Sequence, residues 1–190
     1  MTDIQLPQPQ NAGGMPLFDA LSRRASHRKC APGKELDLQT LSTILWAAFG
    51  FNREGFRTAP TSHNRQEVSL YVFLKTGVYI YDAAANALKQ VLEGDHRALA
   101  GQQDFVAEVP LNIALVSDTS KITGKTPQGV IEAIYANAGF ICQNIYIAAA
   151  ALGLNTVARA MIDKPALAAA LSLAPSQTIT LIQSVGFPKE

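Results

Sequence analysis

The sequence predicts an α+β domain with a mixed, mainly antiparallel sheet flanked by helices. Three observations carry that expectation. Helix-like and strand-like segments alternate without the regular βαβ beat of a parallel sheet. VSLYVFLK (68–75) and VYIY (78–81), split by Thr76-Gly77, read as a hairpin. LNIALV (111–116) is an apolar run suited to a central strand. The 190 residues show no repeat and no dividing linker. Residues 1–16, rich in Pro, Gln and Gly, are expected as an extended arm, and residues 17–190 as one domain.

The remaining elements follow in order. Leu17 to Ala25 reads as a short helix with Phe18 and Leu21 inward. Asp37 is a plausible N-cap for a helix from Leu38 to Phe49, with Leu38, Leu41, Ile44, Leu45 and Ala48 at helical spacing and Trp46 in the core. Gly50 ends it, and 52–63 reads as loop. Segments 84–92 and 96–102 are expected as two short helices split by Gly94. Pro127 to Leu152 is the longest helix, with Pro127 in its first turn and Gly153 closing it. Its apolar composition places it inside protein on nearly all sides. Cys142 is expected to pack there, while Asn137, Gln143 and Asn144 need a cofactor or a facing helix as partner. Thr156 to Ile162 is a strand, Asp163 caps a helix from Pro165 to Leu171, and Thr178 to Ser184 is the last strand.

Charged residues make up 16% of the chain and apolar residues 48%. An ordinary soluble domain carries about 25% charge. This chain therefore has apolar surface to cover with a partner subunit, a cofactor or a membrane. Lys+Arg 16 against Asp+Glu 15 excludes a basic field for nucleic acid. The longest clean apolar run, Ile145 to Leu154, falls short of the roughly 20 residues that a spanning helix needs. The N-terminus has no basic start or apolar stretch of a signal peptide, so a cytoplasmic protein is expected. Cys30 and Cys142 form no CxxC, and His27, His63 and His96 form no ligating pair, so no metal site is expected. GxGxxG, Walker and G-x-S-x-G patterns are absent.

Three segments could carry chemistry. Arg24, Ser26 and Arg28 alternate after the first helix, so an extended exit points them one way. Two guanidinium forks around a hydroxyl suit a phosphate; a solvated basic turn at a helix C-terminus is the competing reading. Ala59 to Gln66 packs hydroxyl, imidazole and amide groups into one loop, which could read a heterocycle edge or be an ordinary polar turn. Lys189, just past the last strand, could close a phosphate site or belong to a frayed tail.

Together, in this order, these segments resemble the flavin-dependent nitroreductase family. Its R-x-S-x-R/K signature is matched by Arg24, Ser26 and Arg28. Its P-S-S-x-N-x-Q-P-W loop is matched by Pro60, Thr61, Ser62, Asn64 and Gln66. A long helix ending A-A-x-x-G-L is matched by Ala149, Ala150, Gly153 and Leu154, and G-x-P by Gly186 and Pro188. Within the family, Arg57 to Pro60, the Leu70-Tyr71-Val72 strand, Tyr79 and Tyr81, Ala138-Gly139 and Gln143-Asn144 look most like the azoline-forming dehydrogenase branch.

The resemblance implies a nitroreductase-like fold in an entwined homodimer, with one FMN per subunit at the interface. It assigns Arg24, Ala25, Ser26, Arg28 and Lys189 to the ribityl and phosphate end. It brings Pro60, Thr61, Ser62 and Asn64 to the flavin ring from the partner subunit, and the backbone of Ala160 and Met161 to its reactive edge. The implied activity is an NAD(P)H oxidoreductase passing hydride through FMN to a nitro, quinone or similar small acceptor, with no catalytic side chain, the chemistry belonging to the flavin. The implied alternatives are a flavin binder without efficient turnover and a peptide azoline dehydrogenase acting with partner proteins. Glu67-Val68 replaces the Pro-Trp of the second motif, and the azoline branch's Lys-Tyr pair has no counterpart placed here.

Overall fold

The computed structural model describes residues 2–189. The elements in chain order are β1 (Ile4–Gln5), α1 (Leu17–Arg23), α2 (Leu38–Phe49), β2 (Phe51–Arg53), β3 (Phe56–Arg57), β4 (Val68–Leu74), β5 (Gly77–Asp82), β6 (Ala87–Glu93), β7 (Leu111–Asp118), α3 (Pro127–Ala151), β8 (Asn155–Arg159), α4 (Lys164–Ala170) and β9 (Gln177–Gly186). Seven strands form one sheet in the order β1-β6-β5-β4-β7-β9-β8. Every pairing in it is antiparallel.

Both faces of the sheet are covered, which explains why its strands are apolar throughout rather than alternating. Leu70, Val72, Ile113 and Leu115 face α2 and α3, where Ile44, Leu45, Ile141 and Ile145 meet them. Their sequence neighbours Tyr71, Phe73, Ala114 and Val116 face the other way, onto Ala100, Val106, Leu167 and Leu171. The helices begin on side-chain caps. Asp37 Oδ1 accepts the Thr40 N–H at 2.6 Å, Thr126 Oγ1 that of Gly129 at 3.1 Å, and Asp163 Oδ1 that of Ala166 at 3.1 Å. A cap of this kind contributes about 1 kcal/mol. Gly153, at φ +69°, turns the chain out of α3 into β8.

Several expectations are corrected. Segment 84–92 is a turn and the strand β6, not a helix. Asp82 Oδ1 accepts the N–H groups of Ala84 and Ala85 at 3.0 Å and Asn86 takes φ +46°, so the chain reverses and pairs with β5. Segment 96–102 holds only a 3-10 turn, Arg97–Ala100. The extended arm is stitched to the sheet: Ile4 and Gln5 pair with Leu88 and Ala87, and Leu6 is buried. Loop 52–63 contains the β2–β3 hairpin. In α1 it is Ala20 that faces inward, while Phe18 is 82% exposed and Leu21 is exposed. Trp46 is half-buried, its indole N–H donating to Phe51 O at 2.9 Å. Gln143 is exposed; Asn144 donates to Ala47 O at 3.0 Å. Strand β8 stops at Arg159, so Ala160 and Met161 lie just beyond it.

Candidate active site

The segment after α1 is held across the ends of two strands by backbone bonds. His27 N–H donates to Thr156 O and Ala31 N–H to Phe187 O, both at 2.9 Å. Cys30 bridges to Pro188, and Asn155 Nδ2 donates to Lys29 O at 2.7 Å. Gly186 is required by this crossing. A Cβ there would stand 2.9 Å from Pro110 Cδ and 3.0 Å from Cys30 Cβ and Sγ. The chain's two ends thereby meet on one cavity of about 870 Å³, lined by Ser26, His27, Arg28, Lys29, Cys30, Phe105, Glu108, Val109, Asn155 and Lys189. Burial pushes the Cys30 thiol up to about 11, so it stays protonated at neutral pH.

Arg24 and Ala25 lie beside this cavity rather than on its lining. The Arg24 guanidinium carbon lies 5.4 Å from the centroid of the Tyr146 ring. Ala25 lines a smaller adjoining cavity with Tyr146, Thr156 and Pro188. The Tyr146 hydroxyl is 2.8 Å from Ser26 Oγ and accepts the Ala158 N–H at 2.9 Å. Sequence reasoning missed Tyr146, because nothing in a helical apolar run marks which residue meets a distant loop.

The second segment lies elsewhere on the protomer. Pro60, Thr61 and Ser62 line a cavity of about 490 Å³ with Lys125, Glu132, Asn137 and Phe140 of the α3 side. Asn64 lines a neighbouring cavity with Pro60, Thr61, Arg53 and Arg57. The loop is unusual in its backbone: His63, Asn64 and Gln66 all take left-handed φ, at +56°, +52° and +49°. Side chains hold it there. Gln66 Oε1 accepts Arg57 Nε–H at 2.9 Å, its Nε2 donates to Gly55 O, and its N–H donates to Thr61 Oγ1. Burial lowers the affinity of Arg57 for its proton, with Tyr81 and Asp82 opposing the effect. From α3, Asn137 accepts the Ser62 N–H and donates to the buried Glu67 carboxylate at 2.7 Å. Glu67, at the position where the motif carries proline, is thus the inner anchor of the loop.

Ala160 and Met161 are exposed and line neither cavity; Met161 O accepts Gln102 N–H. Arg159 before them is buried without a carboxylate: it donates to Ser184 Oγ and Asn112 Oδ1, and burial lowers it to about 10. No cluster of acidic, cysteine or histidine side chains among the described residues could hold a metal.

The sequence model of the Nitroreductase family matches residues 21–187. The chain belongs to the nitroreductase family. A protein of Methanocaldococcus jannaschii, named a candidate nitroreductase, is 30% identical over 166 residues, 82% of each chain. The crystal structure of a candidate nitroreductase from Ralstonia eutropha JMP134 superposes with a TM-score of 0.92 at 34% identity, covering 99% of this chain and 90% of that one. A third, from Desulfovibrio desulfuricans and solved in complex with FMN, has a TM-score of 0.67 at 21% identity, covering 94% of this chain and 89% of that one. No helix among the described residues is long and apolar enough to cross a membrane.

Proposed function

We propose that this nitroreductase-family chain is an FMN-dependent oxidoreductase that moves hydride from NAD(P)H to a nitro, quinone or similar small acceptor, working as a cytoplasmic homodimer. The observation that carries the reading is the 870 Å³ cavity on which Ser26, Arg28, Lys29 and Lys189 converge. Its donor set fits a phosphate: a hydroxyl and three cationic side chains, with Glu108 the one carboxylate on the lining among the described residues. The FMN complex of the Desulfovibrio desulfuricans relative supports the choice of flavin.

FMN would supply the hydride chemistry when bound. Arg24, Ser26, Arg28 and Lys189 would bind and orient its phosphate end, with Ala25 as backbone support. Ala160 and Met161 would border the ring. Pro60, Thr61, Ser62 and Asn64 of the partner subunit would close over it. The dimer reading rests on the outer face of α3 and on α1. Ile131, Tyr135, Phe140, Leu17 and Phe18 are all exposed there, and a Cβ at Gly139 would meet nothing within 4 Å. An apolar face of this kind marks an interaction surface. Two free thiols, Cys30 and Cys142, fit a reducing compartment.

The test is spectroscopic. Purified protein should bind FMN with an oxidised-flavin spectrum that NADH or NADPH bleaches without oxygen and a quinone restores. Protein that cannot be loaded with FMN overturns the reading, and flavin that neither nicotinamide reduces overturns its enzymatic part.

A further inference from the structure

We infer that Tyr146 is the positioning residue of the anion cradle: its phenol holds the Ser26 hydroxyl in place to donate toward a bound phosphate. The inference rests on the FMN reading and assigns a role to a residue on α3 that the signature motifs do not include.

The Tyr146 oxygen lies 2.9 Å from the Ala158 amide nitrogen and 2.8 Å from Ser26 Oγ. A backbone N–H can only donate, so the phenol oxygen accepts from Ala158. The phenol has one proton of its own, and Ser26 Oγ is its side-chain partner. A phosphate can only accept, so once Ser26 donates to it the Ser26 oxygen is free to accept the phenol proton. With a phosphate bound, Ser26 Oγ therefore accepts from Tyr146 while its own O–H donates to the phosphate. Ser26 lines the cavity it shares with Arg28, Lys29 and Lys189. The ordered hydroxyl is thus a neutral donor among cations, and among the described residues Glu108 is the carboxylate on the lining that competes for them.

The same side chain ties the cradle to the sheet. Ala158 is in register with Gln183 on β9, so the phenol takes its position from paired strands rather than from the loop. The Tyr146 ring also carries the Arg24 guanidinium, 5.4 Å from its centroid. One tyrosine thereby sets a hydroxyl and a guanidinium of the R-x-S-x-R motif relative to β8.

Tyr146→Phe removes the O–H and keeps the ring. Apo protein titrated with FMN and with riboflavin, read by flavin fluorescence, tests the idea. The expected result is an FMN dissociation constant raised about tenfold with riboflavin binding unchanged. Ser26→Ala should show a similar loss, and the double variant should be no worse than Ser26→Ala alone, because the two groups act as one unit. Inorganic phosphate should compete with FMN in wild type and less well in Tyr146→Phe. Equal losses for FMN and riboflavin would show a merely structural tyrosine and overturn the inference; so would an unchanged FMN affinity or additive losses in the double variant. A wild type that binds FMN no better than riboflavin would instead sink the phosphate reading beneath it.

Discussion

The two polar loops of the candidate site are held in opposite ways. Residues 24–31 are held to the sheet mainly by the backbone, through His27 to Thr156, Ala31 to Phe187 and the Cys30–Pro188 bridge, with Asn155 and Tyr146 as side-chain supports. Residues 61–66 are held mainly by side chains, with Gln66, Asn137 and Arg57 as the posts and three left-handed residues in the loop, Gln66 itself among them. The first loop is in effect tied to the ends of β8 and β9. The second stores strain, since a left-handed L-residue costs roughly 1 kcal/mol, and it borders the exposed apolar face of α3. A phosphate needs fixed charges, which the first loop offers alone. A loop that closes over a ring can depend on a second copy of the chain.

The largest effect should come from separating the second loop from its proposed partner. Gly139→Leu adds bulk where the protomer has open space. It should give a monomer by light scattering and weaken FMN retention at least about 100-fold, because the ring would lose its cover. A dimer with full flavin would break the comparison. Next, Arg28→Ala acts on the first loop alone. Loss of a charge-assisted bond should weaken FMN by about 10- to 100-fold while riboflavin affinity and dimer mass stay unchanged.

The second loop's strain gives a smaller signal. Gln66→Ala loses the bonds to Arg57 and Gly55, and urea unfolding should show about 1–3 kcal/mol of destabilisation. Gln66→Gly loses the same bonds but accepts φ +49° freely, so it should be less destabilised by roughly 1 kcal/mol. Equal losses would mean that strain is not stored there. The smallest effect is a control outside both loops. Asp37→Ala should cost about 1 kcal/mol, or about 2–4 °C in Tm, with flavin binding unchanged. The Thr40 N–H holds the Asp37 carboxyl below its ordinary value. Its contribution is therefore present above the unfolded value of about 4 and is lost as pH falls through the lower folded value. Wild type and variant should converge in acid.

The fold was legible where local chemistry is strong. The helix Leu38–Phe49 with its Asp37 cap and the helix starting at Pro127 stand where caps and periodicity put them. The hairpin of β4 and β5 follows its Thr76-Gly77 turn. Segment 84–92 misled because its alanines favour helix, whereas the pairing with β5 and the Asp82 turn decide otherwise. Phe18 and Leu21 misled because an apolar side chain reads as inward whether it faces its own core or another molecule. The R-x-S-x-R and Pro60–Asn64 motifs were visible, but their supports, Tyr146, Asn137 and Glu67, were not. Each reaches its loop through a contact between residues far apart in the chain.

Composition alone pointed to apolar surface in need of cover, and the motifs in their order were enough to suggest the family. Caps and turns, which act over three or four residues, were likewise readable from the chain. The gathering of Ser26 and Arg28 with Lys189 was not, because these residues come from opposite ends of the sequence. They meet because β9 ends beside Cys30, where the close approach of Gly186 to Cys30 and Pro110 leaves no room for a side chain. Nor could the sequence orient the Ser26 hydroxyl. That needs the Ala158 amide to occupy one side of a phenol oxygen, and hydrogen-bond direction at a shared atom exists only once all three partners are assembled.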